Sequence, residues 1–467
     1  MTKDMTVGSP FKHILAFWIP LFLGNMFQQV YNITDSIVVG KFMGNDALGG
    51  VGSTGALNFL VIGFVMGMTS GFGINISQAF GAKDFSKMRS YIMNSFYLCL
   101  ILTIVLTLLT GFFTKELLII TDTPESMFEY AYGFIHTVFL GIVTIIAYNM
   151  FACILRALGD TRTPLYFLIV ACAINVSLDL LFIIVFKWGV VGAGLATVLA
   201  QGLSALFCFI YIKKKFPILD FEKKDYKIDF LLWKDLLKIG VPMSLQFMVT
   251  AIGAVVLQGA VNSLMNSVVT ATTAANRILN IALMPMDAIG ITLATYAGQN
   301  LGAGKIDRIF EGVKKGFFLS MSYCVIVGTA FFFFGGDMCK MFFDTNDENL
   351  SEILILCNKF MQITTIFYPA LGALFILRNT LQGLGYSFAA LFAGFVELAA
   401  RVYVAFGLVG AFGFSAICYS GPIAWTAAML FLVVVYIIKA KHLAHPEKFS
   451  IDRHSAHKKI NKEIVKG

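Results

Sequence analysis

Charge is what this sequence has least of. Only 13% of its 467 residues are Asp, Glu, Lys or Arg, against about a quarter in a soluble globular domain. With 58% hydrophobic residues and a mean hydropathy of +0.80, a water-soluble fold could not hide its apolar surface. The eight cysteines include no C-x-x-C pair, which argues against a metal or redox framework and leaves them as small apolar side chains. Cys339 and Cys357 flank one loop and could in principle pair, although small apolar side chains are the preferred reading. G-x-S-x-G, a phosphate loop and His/Cys/Asp metal spacings are all missing, which speaks against an enzyme, and His136 reads as a core residue. No cleavable signal is read at the start, because the first apolar run is too long and contains Pro20 and Asp35.

What is present is a succession of apolar runs, each about 20 residues or longer, the length a helix needs to cross a hydrocarbon core of about 30 Å. Ten-residue alternating strands of a barrel do not fit these lengths. The pattern predicts an all-α polytopic membrane protein with twelve spans. They run over 13–39, 47–79, 90–113, 128–153, 164–186, 190–212, 235–262, 268–300, 312–336, 352–381, 387–408 and 412–438. With both termini placed inside, 28 of the 35 Lys and Arg residues fall on the inner side or at inner span ends and five on the outer side. That bias sets the orientation and explains the net charge of +8 without any nucleic-acid partner. The acidic outer loops (Glu116, Asp122, Glu125; Asp344, Asp347, Glu348) read as solvated faces.

The two halves look like copies. Gln78-Ala-Phe-Gly81 near the end of span two answers Gln299-Asn-Leu-Gly302 near the end of span eight, and Pro20 answers Pro242, at offsets of 221 and 222 residues. Leu155-Arg-Ala-Leu-Gly-Asp160 is likewise matched by Leu381-Gln-Gly-Leu-Gly-Tyr386. Six spans per half make these parallel repeats, related by an axis along the membrane normal, a transporter architecture. The expected organisation is an N-terminal six-helix lobe over 1–212, a charged linker over 213–234, a C-terminal lobe over 235–440 and a basic tail over 441–467. Phe230 to Lys238 is read as an amphipathic helix at the interface. Gly63, Gly67 and Gly71, four apart in span two, predict close helix packing.

The stretch from Pro20 to Gly40 holds an aspartate, Asp35, among Asn25, Gln28, Gln29, Tyr31, Asn32 and Thr34. A charge at membrane depth costs roughly 2.5–3.5 kcal/mol on insertion scales, so an intramembrane acid is by default a site. Asn175 and Asp179 in span five are four apart and share a helix face, and Thr197 adds a hydroxyl in span six. If Asp35, Asn175, Asp179 and Thr197 converge, they form an all-oxygen cluster suited to sodium, or to a proton shared between two acids. Pro20 is the helix-bending residue on the same span. In the second half, Glu397 and Arg401 are four apart and read as an internal ion pair. Arg277 and Asp287 can compensate each other or bind polar helices. Arg156, Arg162 and Arg378 read as anchors at inner helix ends.

These segments together resemble the multidrug and toxic compound extrusion (MATE) family, in its DinF-like branch, over nearly all of residues 10–440. The resemblance implies a twelve-helix antiporter that exports organic cations or amphipathic drugs in exchange for sodium or protons, with no cofactor beyond the coupling ion. It implies the cation site at Asp35, Asn175, Asp179 and Thr197 and cavity lining at Gln28, Tyr31 and Asn149. The span-seven glutamate of other branches has no equivalent here, where Gln246 stands. A monomer in the plasma membrane of a prokaryote is expected, its partners being the bilayer and a small amphipathic or cationic substrate. The competing readings are a lipid-linked saccharide flippase of the same superfamily, which needs a strongly basic cavity, and a membrane receptor or enzyme.

Overall fold

In a bilayer every backbone N–H and C=O must find its partner inside the protein, and an apolar helix does this within one segment. The computed structural model of the chain describes residues 3–121, 123–343 and 350–444, and its regular elements there are all helical. Ten long apolar helices and two bent helix pairs make twelve spans. They are α1 (Pro10–Met43), α2 (Asn45–Gly81), α3 (Phe85–Ile120), α4 (Glu125–Leu140 with Ile142–Ala157), α5 (Arg162–Val185) and α6 (Gly189–Lys215). The second half repeats them as α7 (Phe230–Asn262), α8 (Asn266–Gly302), α9 (Ile306–Phe342), α10 (Leu350–Ile366 with Tyr368–Gly383), α11 (Ser387–Phe412) and α12 (Phe414–Ala444).

The duplication read from the sequence extends to the backbone. The bent spans are the fourth of each half, α4 by 53° and α10 by 49°. A π-helical turn lies in the fifth of each, Leu181–Val185 in α5 and Val404–Leu408 in α11. Residues in the left-handed region recur in step: Lys83 with Gly304, Gly159 with Gly385, Lys187 with Gly413. Each lobe has its own apolar core, one built around Phe72, Ile92, Phe139 and Ile154, the other around Met286, Met361, Tyr368 and Leu381.

The first helix of each half crosses to the other lobe. Ile14, Phe17 and Leu21 of α1 join a cluster with Leu293 and Tyr296 of α8 and Ile309 of α9, and the Trp18 indole donates to the Pro285 carbonyl at 3.0 Å. Reciprocally, Ile239 and Met243 of α7 pack on Ile74 of α2, and the Tyr91 hydroxyl of α3 bonds Asp235 at 3.0 Å. Past Pro20, α1 returns to its own lobe beside α5. Past Pro242, α7 reaches α11 of its own lobe at Thr250 and Gly253 and still faces α2 at Ser244 and Phe247. The glycines of α2 make the lobe seam, with Gly63 facing Phe247, Gly67 facing Ser244 and Gly71 facing Gly240, all on α7. At the face that carries the N-terminal arm, the seam closes with two matched bonds. Gln78 donates to the Gly383 carbonyl at 2.9 Å, and Gln299 donates to the Ala157 carbonyl at 2.8 Å. We call this the terminal face.

Several expectations are corrected. No separate interfacial helix forms at Phe230, which is the first residue of α7. Arg378 is not an interface anchor but a buried side chain, and Arg156 bonds the Cys153 sulfur at 2.8 Å. Arg277 does not meet Asp287; its guanidinium lies 5.8 Å from the centre of the Phe342 ring. Cys339 and Cys357 are buried free thiols. The acidic positions Asp122, Asp344, Asp347 and Glu348 and the tail from 445 onward lie outside the described residues.

Candidate functional site

The polar stretch of α1 comes to lie against α5 above Pro20. Asp35 is half-buried, while Asn175 and Asp179 are fully enclosed. The Asp35 and Asp179 carboxyl groups stand side by side, and the Tyr31 hydroxyl lies beside Asp35 and Thr197 without reaching hydrogen-bond geometry to either. Two carboxylates cannot donate to one another. Six buried polar atoms here have no hydrogen-bond partner: the Tyr31 hydroxyl, one Asp35 oxygen, both Asn175 amide atoms and both Asp179 oxygens. Each such orphan costs about 1–3 kcal/mol, and they are concentrated in one lobe between two helices. The donor set is all oxygen apart from one amide nitrogen. It suits a hard monovalent cation, or a proton placed between the acids.

Local sequence explains the placement. Asn175 and Asp179 fall on one face of α5 because they are one turn apart, and the π-helical turn that follows at Leu181 inserts a residue immediately after that face. Thr197 borders the cluster through Tyr31, and its hydroxyl donates to the Ala193 carbonyl one turn back at 3.2 Å. Of the residues expected to line a cavity, Tyr31 lies beside the carboxylate cluster. Gln28 is exposed, and Asn149 is half-buried with its amide donating to the Ile145 carbonyl at 2.9 Å.

The second lobe answers with an arginine. Glu397 receives Arg378 at 3.1 Å on one oxygen and Arg401 at 3.5 Å on the other. Arg401 also reaches the Thr250 carbonyl of α7 and abuts Gly253. With Pro20 aligned to Pro242, Thr250 and Gly253 are the counterparts of Gln28 and Tyr31. Where α1 meets α5 with two acids, α7 therefore meets α11 with a guanidinium. This is the internal pair read from the sequence, joined by Arg378, which sequence spacing did not reveal because α10 and α11 meet only in space. Gln246 stands beside it, accepting from Gln382 at 3.0 Å. Asp287 of α8 is within electrostatic reach of Arg378 and of Arg156, which belongs to the first lobe.

Comparison with known proteins follows the same division. The MatE family model matches residues 20–181 and 242–407, one block in each lobe. "Probable multidrug resistance protein YpnP" of Bacillus subtilis is 30% identical over 390 residues, covering 82% of this chain and 84% of that protein. "Probable multidrug resistance protein YoeA" of the same organism is 27% identical over 392 residues, with coverage of 82% and 84%. Among solved structures, an outward-facing conformation of a multidrug resistance MATE family transporter of the MOP superfamily superposes with a TM-score of 0.87. It is 21% identical and covers 95% of this chain and 99% of that one, a likeness of fold.

Proposed function

This chain belongs to the MATE family of multidrug efflux transporters, and from that premise we propose that it is a secondary antiporter of the DinF-like branch. It expels organic cations or amphipathic drugs in exchange for protons or sodium. The observation that carries the coupling is the set of orphaned oxygens on Tyr31, Asp35, Asn175 and Asp179. Binding of a proton or sodium there supplies the missing partners, and release of the ion restores two bare acids. An ion shifts the conformational balance only by its difference in affinity between the two states. Because α1 is held to the second lobe below Pro20 and to the first lobe above it, a change at Asp35 acts on the helix that joins the lobes. Rocking of the lobes about that joint exposes the substrate cleft to one side at a time. The reading places both termini in the cytoplasm of a prokaryotic cell, following the Lys/Arg bias.

The test is gradient-driven efflux of ethidium from vesicles, with proton and sodium gradients imposed separately. Asp35→Asn and Asp179→Asn are expected to lose gradient-driven transport at least tenfold while the protein still inserts and folds. Efflux that follows the gradient unchanged in Asp35→Asn overturns the assignment. Whichever gradient drives the parent protein identifies the ion.

A further inference from the structure

The residues before α1 follow an irregular path along the terminal face, with a turn at Met5 and Thr6 and a bend at Val7 and Gly8, threaded between the lobes. On one side, the Lys3 amide donates to the Leu158 carbonyl at 3.0 Å, in the turn after α4. Gly159 beside it has φ of 86°, and a side chain there would run into the Lys3 carbonyl. On the other side the contacts go to the second lobe. The Met5 amide donates to Gln299 at 2.9 Å, and the Met5 carbonyl accepts from Arg308 at 3.0 Å and from Asn300 at 3.4 Å. Lys305 donates to the Thr6 carbonyl at 2.8 Å, and Arg308 donates to the Gly8 carbonyl at 2.9 Å. Met5 is fully buried and belongs to the same apolar cluster as the first half of α1.

We propose that Lys3–Gly8 is a latch, a segment whose seat is built from both lobes and which must leave that seat for the terminal face to open. Three features support this. First, the seat is made chiefly of side-chain donors (Asn300, Lys305, Arg308) aimed at backbone carbonyls, so it holds the backbone of the segment. Second, the latch sits on one of the two matched bonds that close the seam, that of Gln299. Gln299 serves both, accepting from Met5 and donating to Ala157. Third, Asp4 is within electrostatic reach of Lys83, just past the end of α2, and of Lys305, just before α9, one cation from each lobe. Burial pushes its carboxyl up, but hydrogen bonds from Thr6 and the two lysines outweigh this and hold it below the usual carboxylate range. The latch is continuous with α1, so its release frees the end of the helix that carries Asp35.

The test uses spin labels at Lys214 and Glu311, exposed positions on the two lobes near this face, with the distance distribution read by pulsed electron paramagnetic resonance. It needs neither gradient nor substrate, so it stands or falls apart from the antiport reading. Two variants are compared with the parent: a deletion of residues 2–7, and Arg308→Gln in the full chain. Arg162→Gln, an exposed arginine at another helix start, is the control. Losing the Arg308 bonds to two carbonyls is expected to raise the open-to-closed ratio roughly ten- to a hundredfold, seen as a second, longer distance in both variants and not in the control. A single short distance retained in both, or the same long component in Arg162→Gln, overturns the latch.

Discussion

The residues of the carboxylate cluster hold polar atoms that the fold leaves without partners, and this has a consequence opposite to that of most buried polar groups. Where such a group is already hydrogen-bonded, replacing it destabilises. Where it is orphaned, an apolar group of the same shape removes a desolvation penalty. Asn175→Leu is therefore expected to raise the thermal stability of purified, ion-free protein by about 1–3 kcal/mol while abolishing coupled transport. Thermal unfolding in detergent, set beside vesicle efflux, checks this; a loss of stability would mean that Asn175 is a satisfied structural residue. Tyr31→Phe removes only an unpartnered hydroxyl. By the same argument it is expected to raise stability by about 1–3 kcal/mol and to weaken the ion dependence of transport several-fold. Asn94 is the contrasting case. Its amide donates to the Ser90 and Lys227 carbonyls, and its oxygen accepts from the Asp229 amide and the Trp233 indole. Asn94→Leu is expected to be strongly destabilising.

Among elements, the segment between the halves is more than a spacer. Asp225 is fully buried and bonded to Arg89 of α3 at 2.7 Å, Glu222 meets the same guanidinium at 2.8 Å, and Tyr97 bonds the Tyr226 carbonyl at 2.9 Å. Burial pushes the Asp225 carboxyl up, but the Glu222 amide and Arg89 outweigh it and hold the carboxyl below the usual range. A carboxyl lowered in the folded state binds its proton less readily there than when unfolded. Its contribution is complete above the unfolded value of about 3.9 and is lost as pH falls through the folded one. Arg89→Ala is expected to cost about 1–3 kcal/mol at neutral pH and to have a smaller effect below about pH 4. Thermal unfolding of the two proteins across that range checks the sign. The charged composition of this stretch suggested only a linker, because nothing in the sequence says which helix a solvated run docks against.

For the whole molecule, the closing of the terminal face rests on two glycines in matched positions. A Cβ at Gly81 would run into the Gln299 carbonyl, and one at Gly302 into the Gln78 carbonyl, so α2 and α8 meet backbone to backbone there. Gly81→Leu is expected to leave each lobe folded but keep the seam from closing. Transport falls at least tenfold, and cysteines placed along the seam become reactive from the terminal side. Normal transport in that variant would show that the close approach is dispensable. The repeated Gln-x-x-Gly signature was visible in the sequence as a duplication. Its role as a clasp was not, since the two copies touch each other only after both lobes have folded.

The sequence by itself determined the twelve helices, their grouping by six and the candidate acids. These follow from one-dimensional quantities: the length of apolar runs set by the thickness of the hydrocarbon, the period of a helix, and the recurrence of Pro20, Gln78 and Leu155 in the second half. Tertiary structure alone decided that α1 and α7 cross between lobes at the terminal face, that Arg378 joins the Glu397–Arg401 pair, and that the first residues are seated against Arg308. Such pairings join residues up to 305 positions apart, as Gln78 and Gly383 are. Local pattern carries no record of them, because a buried charge or an open carbonyl specifies only that it needs a partner and leaves the identity of that partner to the packing of the chain.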